Sequence, residues 1–274
     1  MIRVETHPKG VMLVTLARPG RLNALTQGMK RDLIELMTRA QMDDAVRVVV
    51  FTGEGRAFCA GDDLRSYHDD APETVPKLGP GHTTPIGTAN ALRVYSQGLN
   101  LAVRGLDKIT IAAINGPAIQ TGLSLALSCD FRIGSEAAEL GSATLRFGLL
   151  PDEGGHWLLL QHLGLAGTLD FLLRKRIADA RTAQALGLLN EVVPAAELIP
   201  RALALAQEMA DGPQVAMRML KRSVYQAAEQ GFAHALEDIA SRTAVTDHHP
   251  DAREGAKSFT EKRSPRFNAW LEKP

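Results

Sequence analysis

Two adjacent carboxylates, Asp152 and Glu153, stand between Pro151 and the pair Gly154-Gly155. Apolar sequence flanks them, Phe147-Gly148-Leu149-Leu150 before and Trp157-Leu158-Leu159 after. A carboxylate in such surroundings loses hydration, which disfavours its charged form and raises its pKa toward the range useful for moving protons. Two acids at a helix start also complement the helix dipole without doing chemistry, so spacing alone leaves both roles open. Upstream, the apolar run beginning at Ile109 breaks at Asn115-Gly116-Pro117 and resumes as an apolar helix through Gly122 and Ser124 to Asp130. A strand–turn–helix unit of this kind aims backbone N–H groups at a negative charge. Residues 109–155 thus read as two halves of one active site, an anion-stabilising hole and an acid/base.

The elements that must position these halves follow from periodicity. Residues 11–17 form a β-branched run closed by Arg18-Pro19-Gly20, hence strand then turn. Thr26 is a plausible N-cap, and Met29, Leu33, Leu36, Met37 and Ala40 recur at helical spacing. Residues 46–52 are almost wholly apolar, as in a strand covered on both faces. The glycine-bearing loop 53–64 follows that strand, where α/β proteins place ligands. Residues 69–84, rich in Pro, Gly and charge, read as a mobile surface loop or lid, and 90–106 as a helix leading into strand 109–114. Beyond the acid pair, 155–163 and 165–173 read as two short helices split by Gly164. Residues 177–193 give a helix, Gly187 and a short strand. From Glu197 strands cease, helices cover 197–211, 214–230 and 231–244, and a charged tail follows. The pattern is an α/β core over 1–195 with an all-helical C-terminal lobe over 196–274.

Composition narrows the function classes. The 274 residues suffice for one large domain or one and a half, and 45% hydrophobic with 23% charged residues excludes disordered and collagen-like chains. Lys+Arg and Asp+Glu are equal at 31, and no basic stripe interleaves with aromatics, so nucleic acid is not an expected partner. Cys59 and Cys129 lie in apolar contexts at no metal-ligand spacing and read as reduced core thiols, with no metal site expected. No apolar run reaches about 18 residues and the first residues hold no signal-type apolar segment, so a cytoplasmic protein without a membrane partner is expected.

Competing motifs are weak. Gly53-Glu54-Gly55 starts like a dinucleotide fingerprint, but Phe58 takes the third glycine position. His248-His249 are neighbours in a polar stretch and read as a solvated turn; His156 and His162 share no helical face. Gly122-Leu123-Ser124-Leu125-Ala126 partly imitates a serine-hydrolase elbow, but Ser124 falls inside the helix. A small residue that lets a helix pack is the plainer role for Ser124, and hydrolysis is kept as an alternative.

Five stretches in register resemble the crotonase (enoyl-CoA hydratase/isomerase) superfamily. They are Arg18-Pro19 with Leu22-Asn23-Ala24-Leu25, Phe58-Cys59-Ala60-Gly61-Asp62-Asp63-Leu64, Ile114-Asn115-Gly116 through Gly122 to Ser128-Cys129-Asp130, Phe147-Gly148-Leu149-Leu150-Pro151 with Gly154-Gly155, and Phe259-Thr260-Glu261-Lys262-Arg263. The resemblance implies a spiral of ββα turns, C-terminal helices that build a homotrimer or a hexamer of two trimers, and an acyl-CoA thioester substrate. It implies no cofactor apart from the coenzyme A of the substrate. By position, the N–H groups of Asp62 and Thr121 hold an enolate oxygen. Arg21, Leu22, Ala60 and Leu64 contact CoA, and Phe259 and Lys262 approach it within the chain or across a subunit boundary. Ser124 and Thr144 stand where hydratases of the family carry glutamates. Asp152 instead matches the loop aspartate of other branches, and the run Leu150-Pro151-Asp152-x-Gly154-Gly155-x-Trp157 is most similar to phenylacetate-pathway isomerases. The expected activity is double-bond isomerisation or hydration with Asp152 as acid/base and Glu153 as helper. The alternatives are a thioester or C–C hydrolase, or an acyl-CoA-binding homologue of low activity.

Overall fold

The computed structural model describes residues 1–63 and 84–272, and nine strands occur among them. In chain order these are β1 (Ile2–His7), β2 (Val11–Leu16), β3 (Val48–Gly53), β4 (Ile109–Ile114), β5 (Pro117–Ile119), β6 (Phe131–Ser135), β7 (Glu139–Gly141), β8 (Ile177–Asp179) and β9 (Glu191–Val193). The larger sheet runs β1-β2-β3-β4-β6-β9, antiparallel only between β1 and β2. A smaller sheet, β5-β7-β8, stands apart.

The helices are α1 (Gln27–Met42), α2 (Pro85–Ala91), α3 (Gly98–Arg104), α4 (Thr121–Ser128), α5 (Gly155–Leu173), α6 (Ala180–Ala185), α7 (Leu198–Asp211), α8 (Gln214–Ala227), α9 (Phe232–Asp247) and α10 (Pro250–Thr260), with a π-helical segment Leu92–Gln97 joining α2 to α3. Alternation along the central strands explains their apolar runs. Val14, Leu16, Val49, Phe51, Ala112 and Ile114 face the core that contains α1, α3 and α4 residues. Val11, Leu13, Val48, Val50, Ile111 and Ala113 face the other way, into a second core with α7. There Leu198, Ala202, Ala206 and Ala210, four apart, give α7 a flat buried stripe.

The α/β class, with helices alone after β9, agrees with the sequence reading. Thr26 caps α1, its hydroxyl accepting from Met29 N at 3.2 Å. Gly164 breaks α5 with φ 65° and ψ 179°. Several features differ. Strand β1 carries exposed polar residues and gains its structure from pairing with β2. The span 92–97 is π-helical within the single helix expected over 90–106. The span 177–193 opens on β8 before its helix. Residues 250–260, read as tail, form α10, which His249 caps by accepting from Asp251 N at 3.2 Å. The loop expected over 69–84 lies outside the described residues except for Thr84, and so does Leu64.

Candidate active site

Two pieces of backbone grip the loop that leaves β3. Leu25 N donates to Gly61 O at 2.8 Å, Asp63 N to Leu25 O at 2.9 Å and Ala60 N to Leu22 O at 2.9 Å. On the other side, Cys59 N donates to Pro117 O at 3.0 Å and Ile119 N to Cys59 O at 2.9 Å. Residues 59–63 are therefore held like a strand between residues 22–25 and β5. Buried Asn23 locks the turn beneath, donating from Nδ2 to Ala57 O at 2.7 Å and Glu54 O at 3.0 Å and accepting from Arg18 N at 2.9 Å. Arg18 pairs with Asp63 at 2.9 Å, and both side chains are largely buried.

Helix α4 starts against this loop. A Cβ on Gly122 would lie 2.1 Å from Cys59 O, so only glycine allows the approach. The residue before the helix, Gln120, sits at φ 51° and ψ −113°, a conformation that strains a side-chain-bearing residue. Its Oε1 accepts from Asp62 N at 3.3 Å. The side chains of Asp62 and Thr121 are joined directly, Thr121 Oγ1 donating to Asp62 Oδ1 at 2.6 Å. The Asp62 carboxylate also meets Lys30 Nζ at 2.8 Å, which donates to Ser96 Oγ at 2.7 Å.

The acid pair sits on the approach to α5. Asp152 is half-buried, whereas Glu153 is 1% exposed. Both oxygens of Glu153, and Oδ1 of Asp152, are buried without a hydrogen-bond partner among the described residues. Burial pushes the Glu153 carboxyl up to about 8, with further contributions from the adjoining Asp152 and from the Asp62 charge. Glu153 therefore favours its protonated form near neutrality. The backbone beneath is pinned by one stretch of chain: Gln97 Nε2 donates to Asp152 O at 3.0 Å and Asn100 Nδ2 to Glu153 O at 2.8 Å. The start of α5 touches α4, since a Cβ on Gly155 would lie 2.8 Å from Ser124 Oγ.

The structure brings Leu22, Ala60, Asp62 and Thr121 into one bonded cluster, with Glu153 within electrostatic reach of Asp62. Arg21 is exposed beside Leu22. Phe259, 87% exposed at the end of α10, and Lys262 just beyond it make no hydrogen bond or ion pair to this cluster among the described residues. Ser124 is buried in the second turn of α4, and Thr144 is buried with its Oγ1 3.2 Å from Ser142 Oγ. No group of three or more His, Cys, Asp or Glu among the described residues could hold a metal ion, and no helix there is long and apolar enough to cross a membrane.

Sequence reasoning missed Lys30, Ser96, Gln97, Asn100 and Gln120. For Lys30 a signal existed: it shares a helical face with Leu33 and Met37, so its place in the buried arc was readable from spacing. For the others the signal is tertiary.

Comparison with known proteins gives a consistent result. Residues 6–270 match the profile of the enoyl-CoA hydratase/isomerase family. The chain is 33% identical over 262 residues to the 1,2-epoxyphenylacetyl-CoA isomerase of Escherichia coli (strain K12), covering 94% of this chain and 95% of that protein. It is 34% identical over 261 residues to the enoyl-CoA hydratase ACTT3 of Alternaria alternata, covering 94% and 83%. The crystal structure of an enoyl-CoA hydratase from Bacillus anthracis superposes with a TM-score of 0.87 at 29% identity, covering 97% of this chain and 98% of that one.

Proposed function

The chain belongs to the enoyl-CoA hydratase/isomerase family and has the crotonase fold, and from that premise we propose that it shifts a double bond within an acyl-CoA thioester. The thioester oxygen sits between the N–H groups of Asp62 and Thr121. Asp152 takes a proton from one carbon, the electrons of that C–H bond move into the thioester, and the enolate oxygen is held by the two N–H groups. The same carboxyl returns the proton to another carbon, so no net proton, water or electron is consumed. Glu153, kept protonated by its burial, stands beside Asp152 as helper. The family's usual glutamate positions hold Ser124 and Thr144, neither of which is a base at neutral pH without an activating partner. No cofactor beyond the CoA of the substrate takes part.

The observation that carries this reading is the buried acid pair, three of whose oxygens have no hydrogen-bond partner among the described residues. Unpartnered buried carboxyl oxygens are costly, and an arrangement that retains them beside an anion-stabilising helix start suits groups reserved for substrate. Leu22 and Ala60 line the CoA path, Arg21 meets the nucleotide end, and Phe259 and Lys262 reach CoA from a neighbouring copy in a homotrimer or hexamer. Light scattering that gave the mass of one chain at working concentration would remove that last element.

The test is mass spectrometry of saturated, enoyl, dienoyl and aromatic acyl-CoA esters incubated with the enzyme in D₂O. Deuterium incorporation without the mass of water supports isomerisation. Gain of water assigns hydration, in which the acid pair activates a water molecule. Release of free CoA favours the hydrolase alternative, and binding without any change in ester favours a binding protein.

A further inference from the structure

Lys30 is 2% exposed in the body of α1, a rare place for a lysine, which keeps its charge in the interior only among compensating groups. The compensation is specific. Its Nζ lies 2.8 Å from both oxygens of Asp62 and donates to Ser96 Oγ at 2.7 Å. Asp62 Oδ1 also accepts from Thr121 Oγ1 at 2.6 Å. The two residues whose N–H groups form the proposed hole are thus fastened by their own side chains, with the ammonium seated behind the fastening.

This arrangement meets a difficulty that Asp62 creates. The residue whose N–H must receive a developing negative charge itself carries a carboxylate, almost fully buried. In a site of low dielectric, an anion so placed opposes charge on the thioester oxygen. Glu153, whose titration Asp62 shifts, stands on the same side. Arg18, the nearby guanidinium, is engaged with Asp63.

We propose that Lys30 is a positioning residue for the reaction: it fixes the Asp62 and Thr121 N–H groups at one spacing and offsets the Asp62 charge, so that the hole presents a positive potential to the thioester oxygen. The proposal rests on the reading of those two N–H groups as the hole, and the experiment separates the two. Acetyl-CoA carrying ¹³C at the thioester carbonyl is bound to the full-length protein, and isotope-edited infrared spectroscopy reads the carbonyl stretch. Wild type is expected to lower its frequency on binding. Lys30→Met loses about half or more of that lowering while its dissociation constant stays within about threefold, and turnover of any substrate found falls about tenfold. The double variant Lys30→Met/Asp62→Asn removes both charges but keeps the N–H and an acceptor for the Thr121 hydroxyl, and it recovers the lowering.

A wild-type-like frequency in Lys30→Met, or a double variant no better than the single one, overturns the role of Lys30 and leaves the hole standing. No lowering in wild type overturns both. If Lys30→Met does not fold, Asp62→Asn is compared with the double variant. A larger lowering in Asp62→Asn, where the ammonium remains, supports the proposal, and equal lowering overturns it.

Discussion

The raised titration of Glu153 ties stability and activity to one pH window. Its carboxyl moves from 4.5 to about 8, chiefly through burial and then through Asp152. Because the folded value lies above the unfolded one, the folded chain binds the proton more tightly throughout that interval. The associated stability is complete below about pH 4.5 and is lost as pH rises through about 8. At 1.36 kcal/mol per tenfold change in affinity, the whole interval corresponds to on the order of 5 kcal/mol. That is comparable to the entire stability of many domains, typically about 5–15 kcal/mol.

Glu153→Gln keeps shape and hydrogen-bond donor but cannot ionise. Urea unfolding of wild type and variant, followed by circular dichroism from pH 4.5 to 9, gives the difference between them at each pH. Titrating groups that do not interact with Glu153 are common to both proteins and cancel. Wild type is expected to lose stability relative to Glu153→Gln steadily across the window, by several kcal/mol in total. Once a substrate is found, wild-type kcat/KM should fall above about pH 8, as Glu153 loses its proton and Asp152 faces a second anion, and the variant should lack that alkaline fall. A stability difference independent of pH would refute the reasoning. So would an alkaline limb that survives in Glu153→Gln.

Three further outcomes are expected. Asp152→Asn should lower turnover by about 10²-fold or more while sparing affinity for acyl-CoA, measured by steady-state kinetics and calorimetry; near wild-type turnover would remove Asp152 from the chemistry. Gln120→Gly suits φ 51° and releases the Asp62 N–H from the Gln120 carbonyl, so acetyl-CoA should bind more tightly and stability should change by no more than about 1 kcal/mol; weaker binding would count against Gln120 as an occupant of the hole. Gly122→Ala drives a methyl to 2.1 Å from the Cys59 carbonyl, and the backbone must move at a cost of about 3 kcal/mol or more, seen as a lower urea midpoint with activity lost in parallel; an unchanged midpoint would contradict the close approach.

Legibility in the sequence followed the range of the interactions. Strands β2, β3 and β4 were readable because burial on both faces leaves an unbroken apolar run. Helix α1 was readable from its Thr26 cap and spacing, and the break in α5 from Gly164. Strand β1 was not, because its exposed Arg3 and Glu5 carry no burial signal and its order comes from β2. Strands β5 and β7, three residues each, are too short to show a period. Helix α10 starts with a histidine cap, a residue seldom chosen for that post. In the candidate site the adjacent acids and the helix start were visible locally. What joins them was not: Lys30 meets Asp62 across 32 residues and Ser96 across 66.

Those long-range links show how the two halves keep a fixed relation. Ser96 accepts from the lysine behind the Asp62 loop, Gln97 holds the Asp152 carbonyl, and Asn100 holds that of Glu153. Ser128, at the far end of α4, donates to Asn100 Oδ1 at 3.2 Å, so α4 is fastened to the same turn. Residues 96–100 therefore reach the loop that carries Asp62 through Lys30, and touch the helix that begins with Thr121 and the backbone of both acids. The separation between the proposed hole and the acid pair is set here by a single turn of helix entering from a third part of the chain. Its first residues end a π-helical stretch, a form that recurs at functional sites and re-aims the side chains on it. One turn thus accepts from the lysine that holds Asp62 and donates to the backbone of both acids. A displacement of that turn would change the hole and the acid/base as a unit.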